Sequence, residues 1–214
     1  MAKRKSPRLT VVEHPLVSHM LTEARRRDTP TPRFRELLAQ IGLLLGYEAT
    51  RDLRVRRERI ETPMEATEAA VLRDVVTVVP ILRAGMGLAE GVSRLFPGAA
   101  VGHIGMFRDE RALRPVSYYE KLPASLGRGV TLLVDPMLAT GGSAVAGVEL
   151  LKQRGASDIR LICLVAAPEG VKKLSSVHAD VPIFTAAVDR ELDERGYILP
   201  GLGDAGDRLF GTTG

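Results

Sequence analysis

The stretch VTLLVDPMLATGGS, residues 130–143, leaves this chain few folds to adopt. An apolar run, residues 130–134, ends in Asp135, passes through small residues and opens into a helical pattern over residues 144–154. A run so short and apolar reads as a buried strand, and a strand feeding directly into a helix belongs to an α/β sheet. Asp135 then emerges at the strand's carboxyl end, where open α/β sheets present groups to ligands. Ala139, Thr140, Gly141, Gly142 and Ser143 supply backbone N–H groups without bulky side chains, and the following helix turns its positive end to the same point. That suits a terminal phosphate. An ionised Asp135, which only accepts hydrogen bonds, suits the paired hydroxyls of a ribose. Two adjacent glycines often do no more than ease a turn, but here acid, hydroxyls, glycines and helix start coincide.

Alternating elements continue along the chain. Apolar spacing predicts helices over residues 15–27 and 32–49, with a break at residues 28–30. Residues 54–60 read as an exposed strand, 75–79 as a buried strand, 87–95 as a helix and 101–107 as a strand. Strand 159–165, helix 169–177 and strand 183–187 follow. Strands separated by helices predict a largely parallel twisted sheet flanked by helices, after an N-terminal helical region over residues 1–50. No repeat, low-complexity tract or linker interrupts it. With 214 residues and 45% hydrophobic content, the chain can bury one full core, so a single domain spans residues 1–214.

Two further segments carry chemistry. Arg83 follows the buried strand, and its permanently charged fork can grip a diphosphate, while Ala84 and Gly85 let the backbone come close. Arg108 ends the next strand; on the residues alone, a solvated strand cap is the better reading of either arginine. Residues 197–206, YILPGLGDAG, are too rich in glycine for a core element and too apolar for a loose tail. Such a segment can wrap a flat base and read its edge with backbone groups. Its G-x-G-x-x-G is no dinucleotide fingerprint, because too few residues follow for a βαβ unit. The glycines at 85, 87 and 91 fail the same test, since no acid follows a second strand at the required interval.

VDPMLATGGS resembles the phosphoribosyl-diphosphate loop of the type I phosphoribosyltransferases, and within them of the uracil phosphoribosyltransferase family. VVPILRAGMG (residues 78–87), MFRDE (106–110), LVAAPEG (164–170) and GYILPGLGDAGDRLFGT (196–212) resemble the same family in the same order. Pro136 stands where the wider group often has a second acid, a departure that fits the uracil enzymes. The resemblance implies transfer of a phosphoribosyl group from 5-phospho-α-D-ribose 1-diphosphate (PRPP) to uracil, giving UMP and diphosphate. It implies PRPP contacts from Arg83, Arg108, Asp135, Pro136, Met137, Leu138, Ala139, Thr140, Gly141, Gly142, Ser143 and Asp204. It assigns uracil to Ile198, Gly203, Asp204 and Ala205 in a tail over residues 196–212, and residues 108–121 to a mobile hood that excludes water. Asp204 is the nearest candidate for a general base at uracil N1. Magnesium is expected on the diphosphate oxygens, with few protein ligands. The resemblance further implies a homo-oligomer, dimer or tetramer, and leaves GTP as a candidate activator.

Composition narrows the remaining classes. Cys163 is the single cysteine and sits in an apolar run, so it reads as a buried, inert thiol in a chain without disulfides. The basic start MAKRKSPR has no apolar segment after it, so no secretory signal is expected, and no apolar run nears the roughly 18 residues of a membrane span. A cytoplasmic protein without membrane contact is the reading. His14, His19, His103 and His178 are too scattered for a zinc site. Thirty basic against 26 acidic residues, net +4, suit a phosphate-rich substrate. The clusters at residues 25–27 and 54–59 lack aromatic interleaving and read as solvated faces, not a nucleic-acid surface. Two alternatives stay open at this level: a non-catalytic PRPP- or nucleotide-sensing regulator that binds nucleic acid, and a phosphoribosyltransferase for another nucleobase.

Overall fold

The computed structural model describes residues 9–108 and 115–212. A short strand β1 (Leu9–Val11) precedes helices α1 (Pro15–Arg25) and α2 (Thr31–Ala49). An antiparallel hairpin, β2 (Val55–Glu61) and β3 (Ala66–Leu72), leads to β4 (Val75–Leu82) and α3 (Gly85–Leu95). Then come β5 (Ala100–Val101), β6 (His103–Arg108), β7 (Pro115–Lys121), β8 (Gly129–Val134), β9 (Met137–Leu138) and α4 (Gly142–Gln153). β10 (Asp158–Ala166), α5 (Pro168–Val177) and β11 (Ile183–Val188) complete the sheet, followed by a small hairpin, β12 (Glu191–Leu192) and β13 (Ile198–Leu199), and α6 (Ala205–Phe210).

The main sheet runs β1-β11-β10-β8-β4-β6-β7, with β5 beside β4 and β9 beside β10. Only β6 and β7 pair antiparallel within it. Each face carries its own core. Leu132 and Val134 point into a cluster with Phe34, Leu37, Ile41 and Leu88, whereas Leu133 points into a cluster with Val148, Leu151 and Leu174. This is the period-two alternation of a strand covered on both sides. A leucine buried as fully as these contributes about 2 kcal/mol through removal from water. Among the described residues, no helix is long and apolar enough to cross a membrane.

The sheet is largely parallel, as the sequence predicts, but four expectations need correction. The N-terminal region is not wholly helical, because residues 9–11 join the sheet edge beside β11. The strand expected over residues 101–107 is broken at Gly102, whose N–H donates to Val78 O at 2.9 Å. Helix α3 starts at Gly85, directly after the arginine loop. The glycine-rich tail is not excluded from the core: Ile198, Leu202, Ala205 and Leu209 are buried against α1 and α2. The residues expected to form the hood, 108–121, run from the end of β6 through β7, and 109–114 lie outside the described residues.

Candidate active site

Parallel pairing brings the carboxyl ends of neighbouring strands to one edge. Pro80 stands opposite Val134, and Ile81 opposite Ile104, so Arg83, Asp135 and the end of β6 lie side by side. Arg108 is the last residue of β6; its side chain lies outside the described residues.

Asp135 leaves β8 with its N–H donated to Ile162 O at 3.1 Å. The chain then rejoins the sheet as β9 beside β10. Pro136 O accepts from Leu164 N–H and Val165 N–H, both at 3.0 Å, and Leu138 O accepts from Ala167 N–H at 2.9 Å. Residues 136–138 are thus a braced platform, and residues 139–141 form the loop that leads from it into the first turn of α4. Asp135 keeps some exposed area at the site's mouth, yet protein surrounds it closely enough for desolvation to raise its pKa to about 7. A weak contact from Met137 N–H, 3.5 Å away, opposes that rise.

Gly141 ends the loop at φ 76° and ψ 0°, as the N-cap of α4. A Cβ there would also meet Gly170 O at 3.0 Å, so backbone conformation and space both call for glycine. No side chain caps α4, and the first-turn amides are directed to the loop. Cys163, by contrast, is fully buried, and burial pushes its thiol up to about 12, so it is no nucleophile.

Arg83 is more than half exposed. Its Nη2 lies 3.5 Å from Asp207 Oδ1, and its guanidinium sits 5.5 Å from the Phe210 ring centroid. The tail therefore reaches the arginine loop, and Gly206 lies against Ala84 as well. Within the tail, Asp204 caps α6, its Oδ1 accepting Asp207 N–H at 2.9 Å. Gly201 adopts φ 59°, and a Cβ on it would collide with Ile198 O.

Two arginines hold this tail. Arg25, read as part of a solvated face, donates to both Asp189 oxygens, at 2.8 and 2.6 Å, and to Gly201 O at 2.7 Å. Arg208 donates to Ala24 O, Leu202 O and Arg26 O and stacks on Phe34, 4.3 Å from its ring centroid. No local signal separates Arg25 from Arg26 and Arg27; its partner lies 164 residues further on. The second basic cluster is partly neutralised, with Arg54 on Asp74 and Arg56 on Glu58.

A parallel sheet with an acid and a glycine loop after one central strand, and an arginine loop after its neighbour, defines a phosphoribosyltransferase of the type I class. The adenine phosphoribosyl transferase of Trypanosoma brucei shares this fold, with a TM-score of 0.57 at 13% identity over 92% of this chain and 87% of that one. A structure of the AQ2163 protein from Aquifex aeolicus is far more similar: TM-score 0.92, 35% identity, 96% of this chain and 99% of that chain. The sequence profile of the family described as Uracil phosphoribosyltransferase matches residues 11–212. Proteins named uracil phosphoribosyltransferase from Sinorhizobium fredii and Streptococcus pneumoniae are each 54% identical, over 95% and 96% of this chain and 98% and 99% of their own length. The chain belongs to the uracil phosphoribosyltransferase family, and it is a transferase.

Proposed function

We propose that this chain transfers the phosphoribosyl group of PRPP to N1 of uracil, forming UMP and releasing diphosphate. The observation that carries the reading is the meeting of tail and arginine loop at the edge where Asp135 emerges. In this assignment the amides of residues 139–143 hold the 5′-phosphate and Asp135 accepts from the ribose hydroxyls. Arg83 and Arg108 take the leaving diphosphate. Ile198, Gly203, Asp204 and Ala205 receive the base. Uracil offers acceptor, donor and acceptor along one edge, and a complementary backbone edge discriminates against cytosine by leaving buried groups unpaired.

Displacement at C1 is dissociative in this scheme, and catalysis comes mostly from positioning and electrostatics. Arg83 would exchange Asp207 for the diphosphate as the substrate enters. Asp204, with Oδ1 engaged by the helix cap, would take the N1 proton or orient the sugar. Magnesium would be carried by PRPP and its waters, with few direct protein ligands. When bound, it would neutralise part of the diphosphate charge.

A homo-oligomer belongs to the same proposal. It is supported by the β2–β3 hairpin, which stands outside the main sheet and exposes Val55, Met64 and Leu72. Activation by GTP, which the family resemblance implies, and a cytoplasmic location belong to the same proposal. The decisive assay incubates purified protein with PRPP, Mg²⁺ and each nucleobase, with and without GTP, and identifies the products. UMP from uracil and no CMP from cytosine is the expected result. Equal turnover of a purine, or no turnover of uracil under either condition, would overturn the reading in favour of another base or a non-catalytic sensor.

A further inference from the structure

Asp189, which is buried, and Arg25, which is half-buried, form a charge pair outside the substrate contacts assigned above. Asp189 is 8% exposed, and its side chain does more than pair with Arg25. Its Oδ2 also accepts Gly201 N–H at 2.9 Å, while Arg25 Nη1 donates to Gly201 O at 2.7 Å. Both backbone groups of one glycine are therefore fixed, the amide by the acid and the carbonyl by the arginine. Gly201 stands between Ile198 and Gly203, the residues assigned to the base. On the other side, Asp189 N–H donates to Ala166 O at 2.8 Å, and Ala166 pairs with Leu138, the residue before the phosphate loop. The chain of contacts thus runs from phosphate platform to strand end, to charge pair, to base segment.

We propose that Arg25 and Asp189 are positioning residues that set the base segment in register with the phosphate loop, and so govern uracil use without touching uracil. The proposal rests on the assignment of residues 198–205 to the base. Its physical ground is that transition-state geometry tolerates little displacement between C1 and N1, whereas a segment carrying Gly201 and Gly203 at positive φ has little stiffness of its own. Removing Arg25 leaves the buried Asp189 carboxylate uncompensated, which drives local rearrangement. Arg25 is part of a helix end that Arg208 grips through Ala24 O and Arg26 O, so the anchor is itself held.

The test compares Arg25→Met, Arg25→Lys, Asp189→Asn and Gly203→Ala by steady-state kinetics in each substrate, with melting temperatures alongside. If losing the pair leaves the segment in its reading conformation for about a tenth of the time, KM for uracil rises about ten-fold. KM for PRPP should stay within about two-fold, since the phosphate platform is braced by its own backbone bonds. Arg25→Lys, which keeps the charge but not the fork, should recover part of the uracil KM. A merely structural role would lower melting temperature and active fraction while leaving both KM values unchanged, and that pattern overturns the proposal. So does an equal rise in both KM values. If Arg25→Met does not fold, the same comparison is read from Arg25→Lys and Asp189→Asn. Gly203→Ala separates the two levels: if it leaves uracil KM unmoved, the base assignment itself is wrong and the proposal loses its ground with it.

Discussion

Replacing Asp135 by Asn should stabilise the ligand-free protein while disabling it. Desolvation raises the carboxyl from its ordinary value of 3.8 to about 7, so in neutral and basic solution the fold holds an anion that it disfavours. The displacement is about three pH units at about 1.4 kcal/mol each, a ceiling of about 4 kcal/mol. Residual exposure at the site's mouth lets solvent screen the charge, and about 2 kcal/mol is the fair expectation. For a domain of this size that is about 4–8 °C in melting temperature. The sign follows from proton linkage. Near pH 4 and below, the neutral side chain dominates in the fold and the penalty is small. As pH rises from about 4 to 7, the unfolded chain ionises first and the parent protein loses stability; above 7 the full penalty is present. The advantage of Asp135→Asn should therefore be largest at pH 8 and fall by roughly half or more at pH 5. Catalytic efficiency for PRPP should drop at least about ten-fold, because one acceptor becomes a donor and the negative charge facing an oxocarbenium-like carbon is lost. Thermal unfolding at the two pH values, with kinetics at pH 8, checks both halves. A pH-independent difference in melting temperature refutes the desolvation argument, and unchanged efficiency for PRPP refutes the ribose assignment.

Arg83→Ala should cut turnover by at least about a hundred-fold, as loss of a group acting on the leaving charge does, while the melting temperature stays within about 2 °C. The side chain is mostly exposed, and its one ion-pair contact among the described residues is 3.5 Å long, so calorimetry showing a large destabilisation would mark it as structural. Gly141→Ala should destabilise the protein by about 1–2 kcal/mol through strain at φ 76° and crowding against Gly170 O, and should raise KM for PRPP more than KM for uracil. Denaturant melts and paired kinetics would show it; an equal effect on both substrates would separate the loop from phosphate binding.

The parallel core and its ligand edge were legible because the strands at residues 75–79, 130–134 and 159–165 are short, continuous and apolar, and each runs into a helix. The elements that escaped depend on distant partners. Leu9–Val11 is too short to show a period, and it is a strand only because β11 offers its edge. Ala66–Leu72, sequence ATEAAVL, has the composition of a helix former, yet it pairs along its whole length with β2. Helix α6 contains Gly206 and would not form alone; the Asp204 cap and Arg35, donating to Leu209 O at 2.6 Å, fix its ends. The same holds at the site. Asp135 and the loop announced themselves within fourteen consecutive residues, whereas Arg25 acquires its role from an aspartate 164 residues further along the chain.

The tail's burial ties recognition to the order of synthesis. Leu209 packs beside Leu38 and Gly87, and Arg208 covers Phe34, so the surface of α2 is sealed by residues translated some 170 positions later. A nascent chain that has already built its sheet and the loop after β9 still shows that apolar surface, and still lacks the segment assigned above to the base. On the proposed assignment, the base site forms in the same event that covers this apolar surface, so partial or clipped chains carry their defect outward, where chaperones and proteases find it.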